Sequence, residues 1–122
     1  MSKTILAADD SASMRQIIQF SLSSAGFSVV VADDGRDALA KLKRQPVDML
    51  ITDLNMPNLN GIELIREVRT LPNYKFIPIV MLTTESSNDL KQAGKAAGAS
   101  GWITKPFVAE QLVAVVNRFL SR

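Results

Sequence analysis

Residues 50–61 read LITDLNMPNLNG, and this stretch decides the fold. Its apolar and β-branched residues give way abruptly to a loop of Asn, Pro and Gly, which is typical of a buried strand that ends at a turn. Asp53 would then lie at the C-terminal end of this strand. In an open α/β sheet, ligands and chemistry collect at the carboxyl edge of the strands, so Asp53 is the first candidate functional residue.

Three other predicted strands also break off at a polar side chain. They cover residues 5–8, 77–82 and 101–104. If these strands are parallel neighbours, carboxylates, a hydroxyl and an ammonium group converge on one pocket. The side chains that would meet there are Asp9, Asp10, Asp53, Thr83 and Lys105.

Strand-like runs alternate with segments of helical spacing along the whole chain. The remaining strands are expected at residues 27–32 and 49–52. Ser11 or Ser13 can cap the first helix. The fourth helix, which is weakly apolar, is expected over residues 86–97, and the fifth, which has the clearest apolar spacing, over residues 108–119. Five alternating strand–helix units predict right-handed βαβ crossovers and a parallel sheet that is covered by helices on both faces. We expect one domain over the full length, with no attached output domain.

Composition excludes several classes of chemistry. The chain has 122 residues, 47% of them hydrophobic and 21% charged, which is ordinary for a globular domain. It contains no Cys and no His, so disulfides, thiolate nucleophiles and the commonest zinc ligands are excluded. Any catalysis must therefore depend on carboxylates, hydroxyls, lysine or a bound metal.

Charge and hydropathy give no sign of nucleic acid or membrane as a partner. The net charge is +2, and the densest basic group is Lys41, Lys43 and Arg44, which is short and lacks interleaved aromatic residues. No signal peptide and no apolar run of membrane-spanning length is present in the sequence. We therefore expect a cytoplasmic protein that binds no nucleic acid and has no membrane span.

The acidic residues of the predicted pocket suit a hard divalent cation. Carboxylates crowded into a partly dry crevice resist ionisation, and a cation relieves that cost. Mg²⁺ prefers oxygen ligands and keeps several waters. We expect the side chains of Asp10 and Asp53 and the backbone carbonyl of Asn55 as ligands, with Asp9 acting through a water molecule.

The same pocket is suited to phosphoryl transfer. A metal neutralises charge on the transferred group, and a carboxylate can attack phosphorus to give an aspartyl phosphate. Asp53 occupies the central position for that attack, Lys105 would add positive charge, and Thr83 would offer a hydroxyl donor. The other aspartates are expected only to cap helices or close turns: Asp33, Asp34, Asp37, Asp48 and Asp89.

These segments together resemble the receiver domain of bacterial two-component response regulators. The resemblance covers the whole chain and is nearest to the stand-alone chemotaxis regulators of the CheY type. It is carried by residues 9–15 (DDSASMR), 53–58 (DLNMPN), 97–102 (AGASGW) and 105–107 (KPF). Each motif is weak alone, but in this order they are specific.

The resemblance implies a flavodoxin-like (βα)₅ fold with strand order 2-1-3-4-5. It implies that Asp53 accepts a phosphoryl group from the phosphohistidine of a sensor histidine kinase, of the CheA type in chemotaxis. It also implies a cis peptide bond between Lys105 and Pro106 and a slow autophosphatase activity, without other enzymatic function. Asn55, Glu85 and Thr84 would tune the rate of that hydrolysis and the access to Asp53.

A switch between two surfaces is implied as well. The hydroxyl of Thr83 would move to the phosphoryl group, and Trp102 would turn inward to fill the vacated space. The surface of the fourth helix, fifth strand and fifth helix would then select a partner. The family usually has Tyr or Phe in place of Trp102, and a second interpretation is that Trp102 simply lies flat on the fourth helix.

Two other protein classes fit the sequence less well than a receiver. A Mg²⁺-dependent aspartyl-phosphate hydrolase would carry a second Asp where this chain has Asn55, and a flavodoxin would not place Asp9 and Asp10 beside a flavin phosphate. Within the receiver interpretation, we expect the protein to bind a flagellar motor switch protein in chemotaxis. The alternatives are that it acts as a phosphate sink or as a phosphorelay intermediate. Lys91 on the outer face of the fourth helix is a charge where a motor-binding regulator would favour an apolar contact, so the sequence supports phosphorylation more strongly than motor binding. A phosphatase is a further expected partner, and we expect a monomer.

Overall fold

Five parallel strands form one sheet at the centre of the structure, a computed structural model that describes residues 3–85 and 87–120. Numbered along the chain, the strands are Thr4–Ala8 (β1), Ser28–Ala32 (β2), Met49–Asp53 (β3), Ile79–Thr83 (β4) and Gly101–Thr104 (β5). They pair in the order β2-β1-β3-β4-β5. The predicted flavodoxin-like architecture with strand order 2-1-3-4-5 is therefore confirmed.

Helices cover both faces of this sheet. Within the described residues they are Ala12–Ser24 (α1), Gly35–Arg44 (α2), Gly61–Arg69 (α3), Asn88–Ala97 (α4) and Ala109–Phe119 (α5), with a 3₁₀ turn at Pro72–Tyr74. One apolar core contains Ile18 from α1 and Leu112 from α5. The other core contains Leu42 from α2 and Leu64 from α3, with Leu90 of α4 packed against it. None of the described helices is long and apolar enough to cross a membrane.

The register of the central strands brings their carboxyl ends to one edge. Every residue of β3 and β4 is buried, because both strands have neighbours on either side and helices above and below. Asp53 pairs with Leu82, and Thr83 pairs with Thr104 immediately before Lys105. The last residues of β3, β4 and β5 therefore end side by side.

Four of the five strands differ from the predicted ranges by one or two residues at an end, and backbone hydrogen bonding explains where the second and the fourth begin. The fourth strand begins at Ile79 rather than at residue 77, because Pro78 has no N–H group and pairing with β3 starts after it. It also extends to Thr83. The second strand begins at Ser28, because the N–H of Phe27 donates to the carbonyl of Leu22 and so completes the end of α1.

Helix caps settle two further boundaries. Ser11, not Ser13, is the N-cap of α1, and its Oγ accepts a hydrogen bond from the N–H of Met14. The N-cap of α4 is Ser87, so this helix begins at Asn88 and is shorter than predicted. Ser86, the expected first residue of that helix, lies outside the described residues.

Arg69 at the end of α3 fixes the C-terminal end of α4. Its Nε and Nη2 donate to the carbonyl oxygen of Gly98, the C-cap of α4, at 3.2 and 2.6 Å. Its Nη1 donates to the carbonyl oxygens of Tyr74, Lys75 and Ile77 at 3.2, 2.9 and 2.8 Å. One guanidinium group thus joins α3, α4 and the segment that enters β4. Its burial lowers the pKa of Arg69.

Replacing this guanidinium tests its structural contribution. We expect Arg69→Lys to lower the free energy of unfolding by about 1–3 kcal/mol, because an ammonium group has no planar fork to reach all of these carbonyl oxygens. Urea denaturation at neutral pH measures the loss. Arg66→Lys, an exposed position on the same helix, is the matched control and should change stability by less than about 0.5 kcal/mol. Equal effects of the two substitutions would contradict this role.

Candidate functional site

Asp53 is held in place at the carboxyl edge by its own backbone and by a lysine. It is the last residue of β3 and is 8% exposed. Its Oδ1 accepts a hydrogen bond of 2.9 Å from the N–H of Leu54 and lies 3.4 Å from Nζ of Lys105. The side chain of Thr52 donates to the carbonyl oxygen of Asp53 at 2.9 Å, which satisfies the buried hydroxyl. The carboxylate is therefore oriented before any ligand arrives.

Asp9 lies beside Asp53 and is fully buried. Its Oδ1 accepts a hydrogen bond of 2.9 Å from the N–H of Ser11, and its Oδ2 lies 3.0 Å from Nζ of Lys105. Arg15 on α1 donates from Nη1 to the backbone carbonyl oxygen of Asp9 at 2.7 Å. Both the side chain and the backbone of Asp9 are consequently fixed from the first turn of α1.

Lys105 joins the two carboxylates across the sheet. It follows β5, and its backbone N–H donates to the carbonyl oxygen of Thr83 at 2.8 Å. The peptide bond between Lys105 and Pro106 is cis. Its side chain spans from β5 to Asp53 at the end of β3 and to Asp9 at the end of β1, passing the end of β4.

The electrostatics of the pocket favour a proton or a cation on Asp53. Burial raises the pKa of the Asp53 carboxyl above its ordinary value of 3.8, and the neighbouring Asp9 carboxylate raises it further. The ammonium of Lys105 and the N–H of Leu54 lower this pKa, but without offsetting the other two effects. The pocket therefore carries more negative charge than Lys105 neutralises.

A third carboxylate completes an acidic cluster at this edge. Asp9, Asp10 and Asp53 each offer one carboxylate oxygen, and these oxygens lie within 4.8 Å of one another. Asp10 is exposed, so the cluster opens to solvent on one side. Hard oxygen donors in a solvent-accessible group of this size fit Mg²⁺, which keeps part of its hydration shell. The acidic cluster is thus compatible with Mg²⁺ binding, as the sequence predicts.

Polar residues of two loops surround the cluster. The hydroxyl of Thr83 is buried and accepts a hydrogen bond of 3.1 Å from the N–H of Glu85. The side-chain amide of Asn55 donates to Oε2 of Glu85 at 3.1 Å, so the loop after β3 contacts the loop after β4. Thr84 and Glu85 are exposed. The structure therefore brings Asn55 and Glu85 together and places Thr84 on the surface.

Trp102 on β5 lies against α4. A Cβ atom on Gly94 would come within 3.0 Å of Cζ3 of the indole, so the absence of a side chain at Gly94 makes room for the ring. The indole Nε1 is buried and has no hydrogen-bond partner among the described residues. Lys91, Lys95 and the ring border a groove of about 290 Å³ on this face. The inward turn of Trp102 stays a prediction.

Sequence reasoning missed two contacts of the site. Arg15 lies in a stretch that carries the family resemblance, but its hydrogen bond to the Asp9 carbonyl depends on the geometry of the first turn of α1. Asp34 caps α2 as predicted, accepting from the N–H of Asp37, but its other oxygen accepts a hydrogen bond from Asn58 in the loop after β3. The only sequence signal for this second contact is the Asn-rich composition of that loop.

Comparison with protein families agrees with the geometry of the site. A family model described as the response regulator receiver domain matches residues 5–117. The match includes β1 from its second residue, the four other strands in full and each member of the acidic cluster.

Individual proteins match over nearly their full length. Chemotaxis protein CheY of Pseudomonas aeruginosa is 39% identical over 119 residues, which are 97% of this chain and 96% of that protein. Chemotaxis protein CheY-3 of Vibrio cholerae is 36% identical over 97% of this chain and 92% of its own length. The solved structure of chemotaxis protein CheY4 of Vibrio cholerae has a TM-score of 0.95 at 47% identity, covering 98% of this chain and 99% of that one. The similarity thus extends over the whole domain.

The raised pKa of Asp53 predicts a stability change in the metal-free protein. A carboxyl whose pKa is higher in the folded state than in the unfolded chain stabilises the fold when protonated and destabilises it when ionised. We therefore expect Asp53→Asn to raise the urea midpoint at pH 7 in the presence of EDTA. The gain should shrink as the pH falls towards 4, because the wild-type carboxyl then takes up its proton.

Asp10→Asn is the matched control for this measurement. It removes one carboxylate of the same cluster from an exposed position, so its gain should be smaller. A lower stability of Asp53→Asn at pH 7 would show that the ion pair with Lys105 outweighs desolvation.

Proposed function

The chain belongs to the response regulator receiver domain family, and we propose that its Asp53 accepts a phosphoryl group from the phosphohistidine of a sensor histidine kinase. Receiver domains are signalling proteins, and accepting a phosphoryl group is general to the family. The observation that carries the assignment to Asp53 is the position of Lys105, whose Nζ lies 3.4 Å from Asp53 and 3.0 Å from Asp9. Asp9 also contacts Lys105, but it follows β1, so Asp53 is the one carboxylate of the cluster that both contacts Lys105 and lies at the end of β3.

The chain's own residues supply the geometry for the transfer. A carboxylate oxygen of Asp53 forms the new bond to phosphorus, while the bond from phosphorus to the imidazole nitrogen breaks and that nitrogen keeps the electron pair. Lys105 can then pair with the phosphoryl oxygens, and the N–H of Leu54 keeps the carboxylate oriented. Because the nucleophile and the cation are already in place, little reorganisation is required during the reaction.

Mg²⁺ is the proposed cofactor. The side chains of Asp10 and Asp53 and the backbone carbonyl of Asn55 would hold it, with Asp9 acting through a water molecule. When bound, the ion neutralises charge on the transferred group. Asp9 suits an indirect role, because both of its carboxylate oxygens already accept hydrogen bonds, from Ser11 and Lys105.

Hydrolysis of the aspartyl phosphate would end the signal. We assign slow autodephosphorylation to the same pocket, with Asn55, Glu85 and Thr84 tuning its rate. The contact between Asn55 and Glu85 supports this role, because it joins the loop that follows Asp53 to the loop that follows Thr83. Thr84 is an exposed residue of the second loop.

Phosphorylation would change the surface formed by α4, β5 and α5. The buried hydroxyl of Thr83 now accepts from Glu85, and a phosphoryl group would offer it a stronger acceptor. Its movement would free space into which Trp102 turns. Nε1 of Trp102 has no hydrogen-bond partner within residues 3–85 and 87–120, which supports a side chain that is free to turn.

The proposed output is binding to a partner in chemotaxis. The support is similarity to proteins named as chemotaxis proteins along nearly their whole length, at 39% and 36% identity. A kinase of the CheA type would then be the donor, and a flagellar motor switch protein or a phosphatase would bind the phosphorylated form. On this proposal the protein acts as a single cytoplasmic domain, as a monomer.

Labelling with a small phosphodonor tests the proposed acceptor. Incubation with acetyl phosphate and Mg²⁺ should add the mass of one phosphoryl group, and EDTA or Asp53→Asn should abolish the gain. Asp48→Asn is the control and should keep the mass gain, because Asp48 lies just before β3, at the amino ends of the strands, where its Oδ2 accepts a hydrogen bond from the N–H of Thr4. Retention of the mass gain in Asp53→Asn would refute Asp53 as the acceptor.

The fluorescence of Trp102 tests the switch, since this is the only tryptophan. We expect phosphorylation to change the emission of the wild-type protein with the kinetics of the mass gain. Thr83→Ala should still gain mass but lose most of the emission change, because it lacks the hydroxyl that moves. Thr84→Ala, its exposed neighbour, should keep the change. An unchanged response in Thr83→Ala would discard Thr83 as the link to Trp102.

A further inference from the structure

The loop between β3 and α3, residues 54–60, is tied to the start of α2. The side-chain amide of Asn58 donates a hydrogen bond of 2.7 Å to Oδ2 of Asp34. Beside it, Gly35 packs directly on the loop, and a Cβ atom at Gly35 would clash with the carbonyl oxygen of Leu59. The loop therefore rests on α2 through one side-chain contact and one backbone contact.

Only one of the two carboxylate oxygens of Asp34 takes part in capping α2. Its Oδ1 accepts a hydrogen bond of 2.7 Å from the N–H of Asp37, which is the N-cap interaction of α2. Its Oδ2 is left for Asn58. Both donors favour the ionised form, so the pKa of Asp34 lies below its ordinary value, chiefly because of the N–H of Asp37 and then because of Asn58.

Asn58 is held in an uncommon backbone conformation. Its φ is +70°, in the left-handed region that Asn tolerates better than most residues with a side chain. A Gly would adopt this conformation more readily. The side chain of Asn58 thus brings a contact to the loop that the turn itself does not require.

The same loop is tied on its other side to the loop after β4. The amide of Asn55 donates to Glu85, and the N–H of Gly61 donates to the carbonyl oxygen of Leu54 at 2.8 Å, which closes the base of the loop. Asp53 lies immediately before this closed loop. The position of the Asn55 backbone therefore depends on contacts at both flanks.

We propose that Asp34 and Asn58 are positioning residues for phosphoryl transfer at Asp53, because their hydrogen bond holds the loop that presents the backbone carbonyl of Asn55 to Mg²⁺. The inference rests on the proposed function, in which this carbonyl is a ligand of the ion. Loss of the hydrogen bond leaves the acidic cluster intact but loosens one ligand. Residues that orient metal ligands change metal affinity in this way without touching the metal.

The test measures the dissociation constant of Mg²⁺ by isothermal titration calorimetry, and beside it the Mg²⁺ concentration that gives half-maximal labelling of Asp53 by acetyl phosphate. Asn58→Gly breaks the contact without changing charge and keeps the positive φ. Asp34→Ser keeps a good N-cap but is too short to reach Asn58. Asp37→Ser removes one carboxylate from the same turn of α2 without touching the loop and controls for charge and helix stability.

A donor–acceptor exchange supplies the rescue. Asn58→Asp alone places two carboxylates against each other and should slow labelling. Combined with Asp34→Asn, it restores one amide facing one carboxylate with the wild-type net charge, and the Asn keeps an oxygen to cap α2. This pair of variants separates the hydrogen bond from general effects of either substitution.

We expect Asn58→Gly and Asp34→Ser to raise the dissociation constant of Mg²⁺ and the half-saturating Mg²⁺ concentration about tenfold. Asp37→Ser should stay within about twofold of the wild type, and the exchanged pair should label faster than Asn58→Asp alone. The inference is overturned if Asn58→Gly responds to Mg²⁺ as the wild type does, if Asp37→Ser weakens the response as much as Asp34→Ser, or if the exchange fails to rescue.

The outcome for the wild type separates this inference from the proposed function. If the wild-type protein gains no phosphoryl group on Asp53, the proposed function falls and the positioning role falls with it. If the wild type is labelled and the variants respond to Mg²⁺ in the same way, only the positioning role falls.

Discussion

The ion pairs of Lys105 with Asp9 and Asp53 are the constraint on which the rest of the structure depends. Parallel strands bring these two carboxylates to one edge, where burial and mutual repulsion oppose their ionisation. The ammonium at 3.0 Å from one and 3.4 Å from the other offsets part of that cost. It is delivered by the edge strand β5, so the compensation exists only when β1, β3, β4 and β5 lie side by side.

The strand order explains how Asp9, Asp53 and Lys105 come together. β1 and β3 are neighbours, which places Asp9 beside Asp53, and β4 separates them from β5. Lys105 has a side chain long enough to pass the end of β4, where Thr83 is small and buried. The backbone contact between Lys105 and Thr83 fixes the start of that side chain. A short residue at the end of β4 is therefore as much a part of the pocket as the charged residues.

The sequence predicted what depends on residue type and order, and missed what depends on local geometry. Strand alternation and polar strand ends were sufficient to predict a parallel sheet and the meeting of Asp9, Asp53 and Lys105. The strand order came from the resemblance to receiver domains. The boundary at Pro78 was wrong because the apolar run continues through a residue that cannot donate to the ladder. The contact of Asp34 with Asn58 could not be predicted, since a capping aspartate gives no sign of where its second oxygen points.

The two ends of α4 make different contacts, and this bears on how a change in the acidic pocket would reach the helix. Its C-terminal end is bound through Gly98 to the guanidinium of Arg69, which also holds the entry to β4. Its N-terminal end begins at the exposed cap Ser87, soon after the loop that donates to Thr83. Among its described residues only Gly94 is buried, and it faces Trp102. If Thr83 moves as proposed, the movement would reach the N-terminal end of α4 before the end that is bound to Arg69. The helix could then tilt about its bound end, because Gly94 is the one buried residue among those described in this helix.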